Sequence, residues 1–302
     1  MFRNVTVVAT LVLVFTYGAS VARPRASVPA ISNDGTCHVA HLAQMHSFPG
    51  WELSPGQIEM ITRTQDRIAR YILERSSSIK VVDETLGFDM TPEYYRSESQ
   101  KPGSELNQVR SVFSDGYPSR PEELTAEQKT VVYSVGGART LFYLGRIPTL
   151  YGSAIGADSE EIAAKGESIQ REYGDDLGCA TLLDPDVKAF VNDRREEIAA
   201  RRVREICESD GSRPPRVALI FGAFHDFSKY FQVAGGFAFE RMTLVPELSP
   251  ENVNKSVEIQ KQTTCKDFSV HPSQADDEEA AYRRLREAPF DYTHFQKRVH
   301  RQ

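Results

Sequence analysis

The chain has 302 residues, 40% hydrophobic and 26% charged, enough to bury a substantial core in one large domain or two modest ones and unlike a disordered chain. Its formal net charge of −6 offers no basic footprint of the kind nucleic-acid binding needs, so DNA and RNA are poor partners.

Arg3 precedes the apolar run VTVVATLVLVFTYGA, and SVA then places Ser20 and Ala22 at small-residue spacing ahead of Arg23. That is the pattern of a secretory signal peptide over residues 1–22, cleaved after Ala22. The run is about fifteen residues, short of the roughly 20 that span a bilayer, which favours export over a membrane anchor. Residues 23–36, with two prolines and several small polar residues, read as a flexible leader.

CHVAHLAQMH, residues 37–46, reads as a short strand. Next, Ser54 is an N-cap, Pro55 takes the first helical position and Gln57 completes a capping box. Ile58, Ile61, Ile68, Ile72 and Leu73 follow on one helical face, predicting a helix to about Arg75. SIKVVDETL is a second short strand ending in Asp83 and Glu84, so the order strand, helix, strand predicts a βαβ unit of a parallel sheet. Residues 86–120 carry Pro92, Pro102, Gly103, Gly116 and Pro118 without a sustained period, and are predicted as the longest irregular stretch, of the kind used for lids or substrate loops.

A second capping box, Thr125 to Gln128, opens a helix through Val131, Val132, Val135, Ala138, Leu141 and Phe142. The Gly136-Gly137 pair within it costs roughly 1 kcal/mol per glycine relative to alanine, which predicts close packing or a kink there. IPTLYGSAIGAD is a third strand and turn, and residues 184–208 form a long charged helix that leads through DGSRPP into RVALIFGAFHDF, residues 216–227. FAFERMTLVPEL is a last strand; from about residue 272 the chain turns polar, with DDEEAAYRRLRE helical. The tally is α/β: a mixed, mostly parallel sheet flanked by helices over residues 37–271, followed by a polar helical tail over 272–302.

Four cysteines follow the leader, Cys37, Cys179, Cys207 and Cys265. An even count in an exported chain fits one or two disulfides, with three possible pairings that sequence does not rank, and free buried thiols as the other reading. The sequon Asn254-Lys255-Ser256 accepts an N-glycan if the host is eukaryotic.

In open α/β sheets, ligands bind beyond the carboxyl ends of the strands. Three ionisable side chains fall at such ends: His46, Glu84 and His225. Two imidazoles and a carboxylate are a ligand set for a divalent metal with an open position for water; without metal, one histidine is a general base and Glu84 orients it. His38 and His41 alternate with apolar residues inside the first strand and read as structural. Arg194 and Arg195 read as a solvated helix face with partners such as Asp193 and Glu197, or, facing inward, as a clamp for an anionic group. The chain contains no GxSxG elbow, Walker loop or HExxH.

AQMH (43–46), VVDE (81–84), NDRREEIAARRV (192–203) and VALIFGAFHDF (217–227) together resemble the superfamily that groups the Tiki and TraB proteins, the ChaN haem-binding lipoproteins and the erythromycin esterases. Its members pair two GxxH-like motifs with a glutamate between them and an arginine-bearing helix before the second. The resemblance covers roughly residues 37–245. Gly222 and His225 match the second motif, Glu84 the glutamate and Arg194 the helix arginine. The first motif departs, with Ala43 where the glycine stands and Gln44 where some members have glutamate. The resemblance implies an exported hydrolase, secreted or periplasmic, in which His46, Glu84 and His225 activate water, with or without metal, against a small-molecule or peptide ester or amide, and Arg194 stabilises developing charge. The alternative it implies is a haem or iron carrier using the same cleft, with a tyrosine such as Tyr133 or Tyr151 near the iron. A secreted interaction protein with a vestigial site is the third expectation.

Overall fold

A computed structural model of the chain describes residues 36–45, 53–75, 78–209, 216–232 and 237–269. The segments expected as signal peptide and polar tail, most of the expected leader, and His46 lie outside them. Strand β1, Cys37–Gln44, is buried along almost its whole length, as a strand of a parallel sheet covered on both faces is. Helix α1, Pro55–Leu73, starts at the expected capping box: the Ser54 side chain accepts from the Gln57 amide and the Gln57 side chain accepts from the Ser54 amide. Ile61, Ile68 and Ile72 are fully buried, and Ile58 is the exposed member of the stripe. Strand β2 is Ile79–Asp83.

Residues 86–120 are not irregular. They hold α2, Pro92–Ser99, and α3, Glu105–Val112, capped by Thr91 and Ser104. Each is eight residues long, about two turns, too short to display a helical period. Helices α4, Ala126–Val135, and α5, Gly137–Tyr143, replace the single helix expected there. They break at Gly136, whose φ is 91°, a conformation that favours glycine. A Cβ on Gly137 would fall 2.0 Å from the carbonyl oxygen of Gln65, so α1 and α5 approach where only glycine fits. The pair is therefore both a break and a close contact.

Strand β3 is Leu150–Gly152. Helices α6, Ala157–Tyr173, α7, Leu177–Leu183, and α8, Pro185–Lys188, follow. From α8 the chain passes through a π-helical turn, Ala189–Arg194, into α9, Arg195–Ser209. The expected long helix over 184–208 is thus present but interrupted, and a π turn rotates every later side chain relative to the earlier ones. The rest comprises β4, Arg216–Gly222, the one-turn α10, Ser228–Phe231, β5, Phe237–Met242, and α11, Pro250–Thr263.

The five strands form one sheet in the order β3-β2-β4-β1-β5, and every ladder is parallel. β1 and β2 belong to a βαβ unit as expected, but they are not neighbours, because β4 lies between them. One face, through Ala40, Leu42, Val81, Ala218 and Ile220, packs on α1, α3, α4 and α5. The other, through Val39, Val82, Val217, Leu219 and Phe221, packs on α9 and α10. Two disulfides are formed. Cys37–Cys207 ties the start of β1 to the end of α9, and Cys179–Cys265 ties α7 to the segment after α11. Such pairs persist in oxidising compartments. Among the described residues no helix is long and apolar enough to cross a membrane.

Candidate functional site

Strands β2 and β4 are neighbours whose chains leave the sheet in opposite directions, β2 towards the layer of α3, α4 and α5 and β4 towards α10. Such a divergence opens a crevice at the carboxyl edge, where α/β sheets place ligands. On β2, Asp83 Oδ1 accepts from the amide and hydroxyl of Thr85 at 2.8 and 2.7 Å, which turns the chain just past Glu84. The Glu84 amide still donates to Ile220 O at 3.0 Å, so its side chain starts from a fixed ladder position. On β4 the ladder ends at Gly222, and the His225 amide closes a turn onto Gly222 O at 3.1 Å. The Ala223 amide donates to Gln44 O at 3.0 Å, and Arg241 of β5 donates to the carbonyls of Ala223 and His225.

Glu84 is held at both carboxylate oxygens. Oε2 accepts from the Gly222 amide at 2.6 Å and Oε1 from Arg195 Nη2 at 2.6 Å. His225 stands between this carboxylate and a second one. Its Nδ1 lies 3.2 Å from Glu196 Oε1 and its Nε2 3.7 Å from Glu84 Oε1. Glu196 Oε1 also accepts from the Asp226 amide at 2.9 Å, and Lys229 Nζ lies 3.1 Å from Oε2. A carboxylate facing Nδ1 fixes the proton there and leaves Nε2 as the basic nitrogen; 3.7 Å is too long for a hydrogen bond to occupy it. His225 is 5% exposed and Glu196 2%, yet each buried carboxylate has a cation beside it, Arg195 for Glu84 and, for Glu196, Lys229, which also pairs with Asp193, and this offsets part of the cost of desolvation.

His41 of β1 lies under this cluster, fully buried, with Nε2 3.3 Å from Phe221 O and its ring edge-on to Phe227. Burial lowers its pKa to about 3, with Arg241 adding to the effect, so it is a neutral core residue, as its place within the strand predicts.

The structure brings together Glu84 and His225, two of the three residues predicted to share a rim; the third, His46, lies outside the described residues. Arg194 is elsewhere. It holds Glu161 through two contacts of 2.7 Å and Glu197 at 3.1 Å, while its neighbour Arg195, read from sequence as part of a solvated face or, facing inward, as an anion clamp, clamps Glu84. The π turn before α9 accounts for the exchange, because it resets which residues of NDRREEIAARRV face the sheet. Tyr151 lies in β3, packed in the α9 layer with the Arg202 guanidinium over its ring. Tyr133 lies on α4, in the layer on the opposite face of the sheet. Gln44 is turned to that face too, accepting from Gln65 Nε2 at 2.9 Å.

Sequence reasoning missed Glu196. The signal was available: Glu196 falls on the stripe of Ala199, Ala200 and Val203, and a charge on a core-facing stripe is seldom buried without a partner.

His46, one of the three residues expected to hold a metal, lies outside the described residues. Both Glu84 oxygens and His225 Nδ1 are committed to protein partners. Among the described residues no three His, Cys, Asp or Glu side chains converge as metal ligands do. Comparison of the chain with protein-family models, with curated proteins and with solved structures returned no match in any of the three.

Proposed function

We propose that the chain is a hydrolase of esters or amides in which His225 is the general base. The observation that carries this reading is the position of His225 between two buried carboxylates, with Nδ1 on Glu196 and Nε2, 3.7 Å from Glu84, making no hydrogen bond among the described residues. Nε2 takes a proton from water as the water oxygen attacks the carbonyl carbon. The same imidazolium then returns the proton to the departing alkoxide or amine. Glu196 holds the ring and stabilises the imidazolium. Arg195 pairs with Glu84 and has further N–H donors for the oxygen that gains charge. No step passes through a metal or haem.

The test is hydrolysis of a panel of chromogenic esters and anilides by the secreted protein and by His225→Ala. Loss of a general base costs about 10²–10⁴-fold, and a chelator leaves the wild-type rate unchanged. Equal rates in the two proteins, or none in the wild type, overturn the proposal. One observation favours a second reading, an interaction protein with a vestigial site: the side chains of His225 and Glu84 are only 6% and 4% exposed. That reading is selected if His225→Ala folds, hydrolyses nothing less than the wild type does, and keeps the biological phenotype.

A further inference from the structure

On the far side of the His225 loop, between α10, β5 and the start of α11, lies a pocket of about 420 Å³. That is within the range of roughly 300–1,000 Å³ typical of small organic ligands. Its apolar wall includes Phe224, Phe239 and Val253, and its polar rim includes Asp226, Arg241 and Asn254. Phe224 is 53% exposed, the most exposed large hydrophobic side chain among the described residues. Burial pushes the Asp226 carboxyl up, but hydrogen bonds from Ser228 and the charges of Arg241 and Lys229 outweigh it, and the net shift is downward. The carboxylate is therefore ionised opposite the Arg241 guanidinium. Such a rim suits a neutral occupant with hydrogen-bonding groups and one apolar face.

Asn254 is the first residue of the sequon Asn254-Lys255-Ser256, in the opening turns of α11, and it is exposed. The two disulfides suit an oxidising compartment, as the one where N-glycans are attached is. We infer that Asn254 is N-glycosylated and that the first N-acetylglucosamine of its own glycan occupies this pocket, covering Phe224. In the reaction the Asn254 amide nitrogen bonds to the anomeric carbon of a lipid-pyrophosphate-linked oligosaccharide. The lipid pyrophosphate leaves with the bonding pair, and the amide gives up one proton. A sugar joined at Asn254 begins at the pocket's rim. Its ring carbons present an apolar face to the Phe224 ring, and its hydroxyl and acetamido groups meet the polar rim. An aromatic ring left exposed by the polypeptide thus gains a partner. The inference is independent of the chemistry at His225.

The full chain is expressed in a eukaryotic secretory host and measured as intact mass and melting temperature. The expected mass carries one glycan at Asn254, which Ser256→Thr keeps and Ser256→Ala loses. Trimming to a single N-acetylglucosamine with an endoglycosidase leaves the melting temperature unchanged. Ser256→Ala lowers it by roughly 2–4 °C, the shift of one good contact in a domain of this size, although alanine is by itself the better helix former. Phe224→Ala keeps the glycan, and adding Ser256→Ala to it lowers the melting temperature no further. An unmodified Asn254, or a glycan whose removal leaves the melting temperature unchanged, overturns the inference.

Discussion

Glu196 Oε1 accepts from the Asp226 amide at 2.9 Å and faces His225 Nδ1 at 3.2 Å, so one buried carboxylate of α9 fixes both the loop after β4 and the ring that loop carries. Replacing it with glutamine keeps the shape and removes the charge that holds the imidazolium. We expect Glu196→Gln to fold and to lose about 10–100-fold in hydrolysis, the usual effect of removing the partner that orients a histidine. Nitrogen NMR of the imidazole checks the cause: the variant shows a mixed tautomer population, and an unchanged spectrum with an unchanged rate sinks the assigned role.

Arg195 and Arg194 are adjacent in sequence and differ in consequence. Arg195→Met removes the Arg195 side of the pair with Glu84, 4% exposed, and breaking a buried pair from one side costs about 3–5 kcal/mol. Arg194→Met removes contacts to Glu161 and Glu197, each 29% exposed, and such pairs contribute about 0–1 kcal/mol. Urea unfolding of the two variants gives the comparison; equal losses would show that the Glu84 clamp is not special.

His41 makes stability depend on pH. Its folded pKa is about 3 against 6.5 for the free side chain, so below pH 6.5 the unfolded chain binds a proton that the folded chain refuses. This contribution is complete above pH 6.5 and is lost as pH falls towards 3, at up to about 1.4 kcal/mol per pH unit. His41→Gln flattens the unfolding free energy between pH 6 and about 4 relative to wild type. Parallel curves for the two proteins would mean that another group governs the acid limb.

Gly137 and Gly56 respond oppositely to a methyl group. A Cβ at Gly137 meets the Gln65 carbonyl at 2.0 Å, whereas at Gly56 nothing lies within 4 Å. Gly137→Ala costs about 1–3 kcal/mol through overpacking of α1 against α5. Gly56→Ala, in the first turn of α1, is expected to add about 0.4–1 kcal/mol. Thermal unfolding decides, and a Gly137→Ala protein as stable as wild type would refute the close approach.

Much of the fold was legible because it rests on local chemistry. Ser54 with Gln57 and Thr125 with Gln128 announce helix starts through hydrogen bonds three residues long, and apolar runs such as VALIF need two covered faces. Eight-residue α2 and α3 were hidden by their length. The break at Gly136 was half-legible, since glycine signals a special backbone without saying whether the chain turns or another helix approaches; here both occur.

The sequence by itself determined the element order around an α/β sheet, the placing of Glu84 and His225 at strand ends, and an even cysteine count suited to an oxidising compartment. Only the tertiary structure decided that β4 separates β1 from β2, that Cys37 pairs with Cys207 and Cys179 with Cys265, and that Arg195 and Glu196, rather than Arg194, meet the rim. The physical reason is that strand ends and caps are properties of a few consecutive residues. Strand neighbours and helix faces are set by burial across the whole chain, and one π turn is enough to change which side chain points inward.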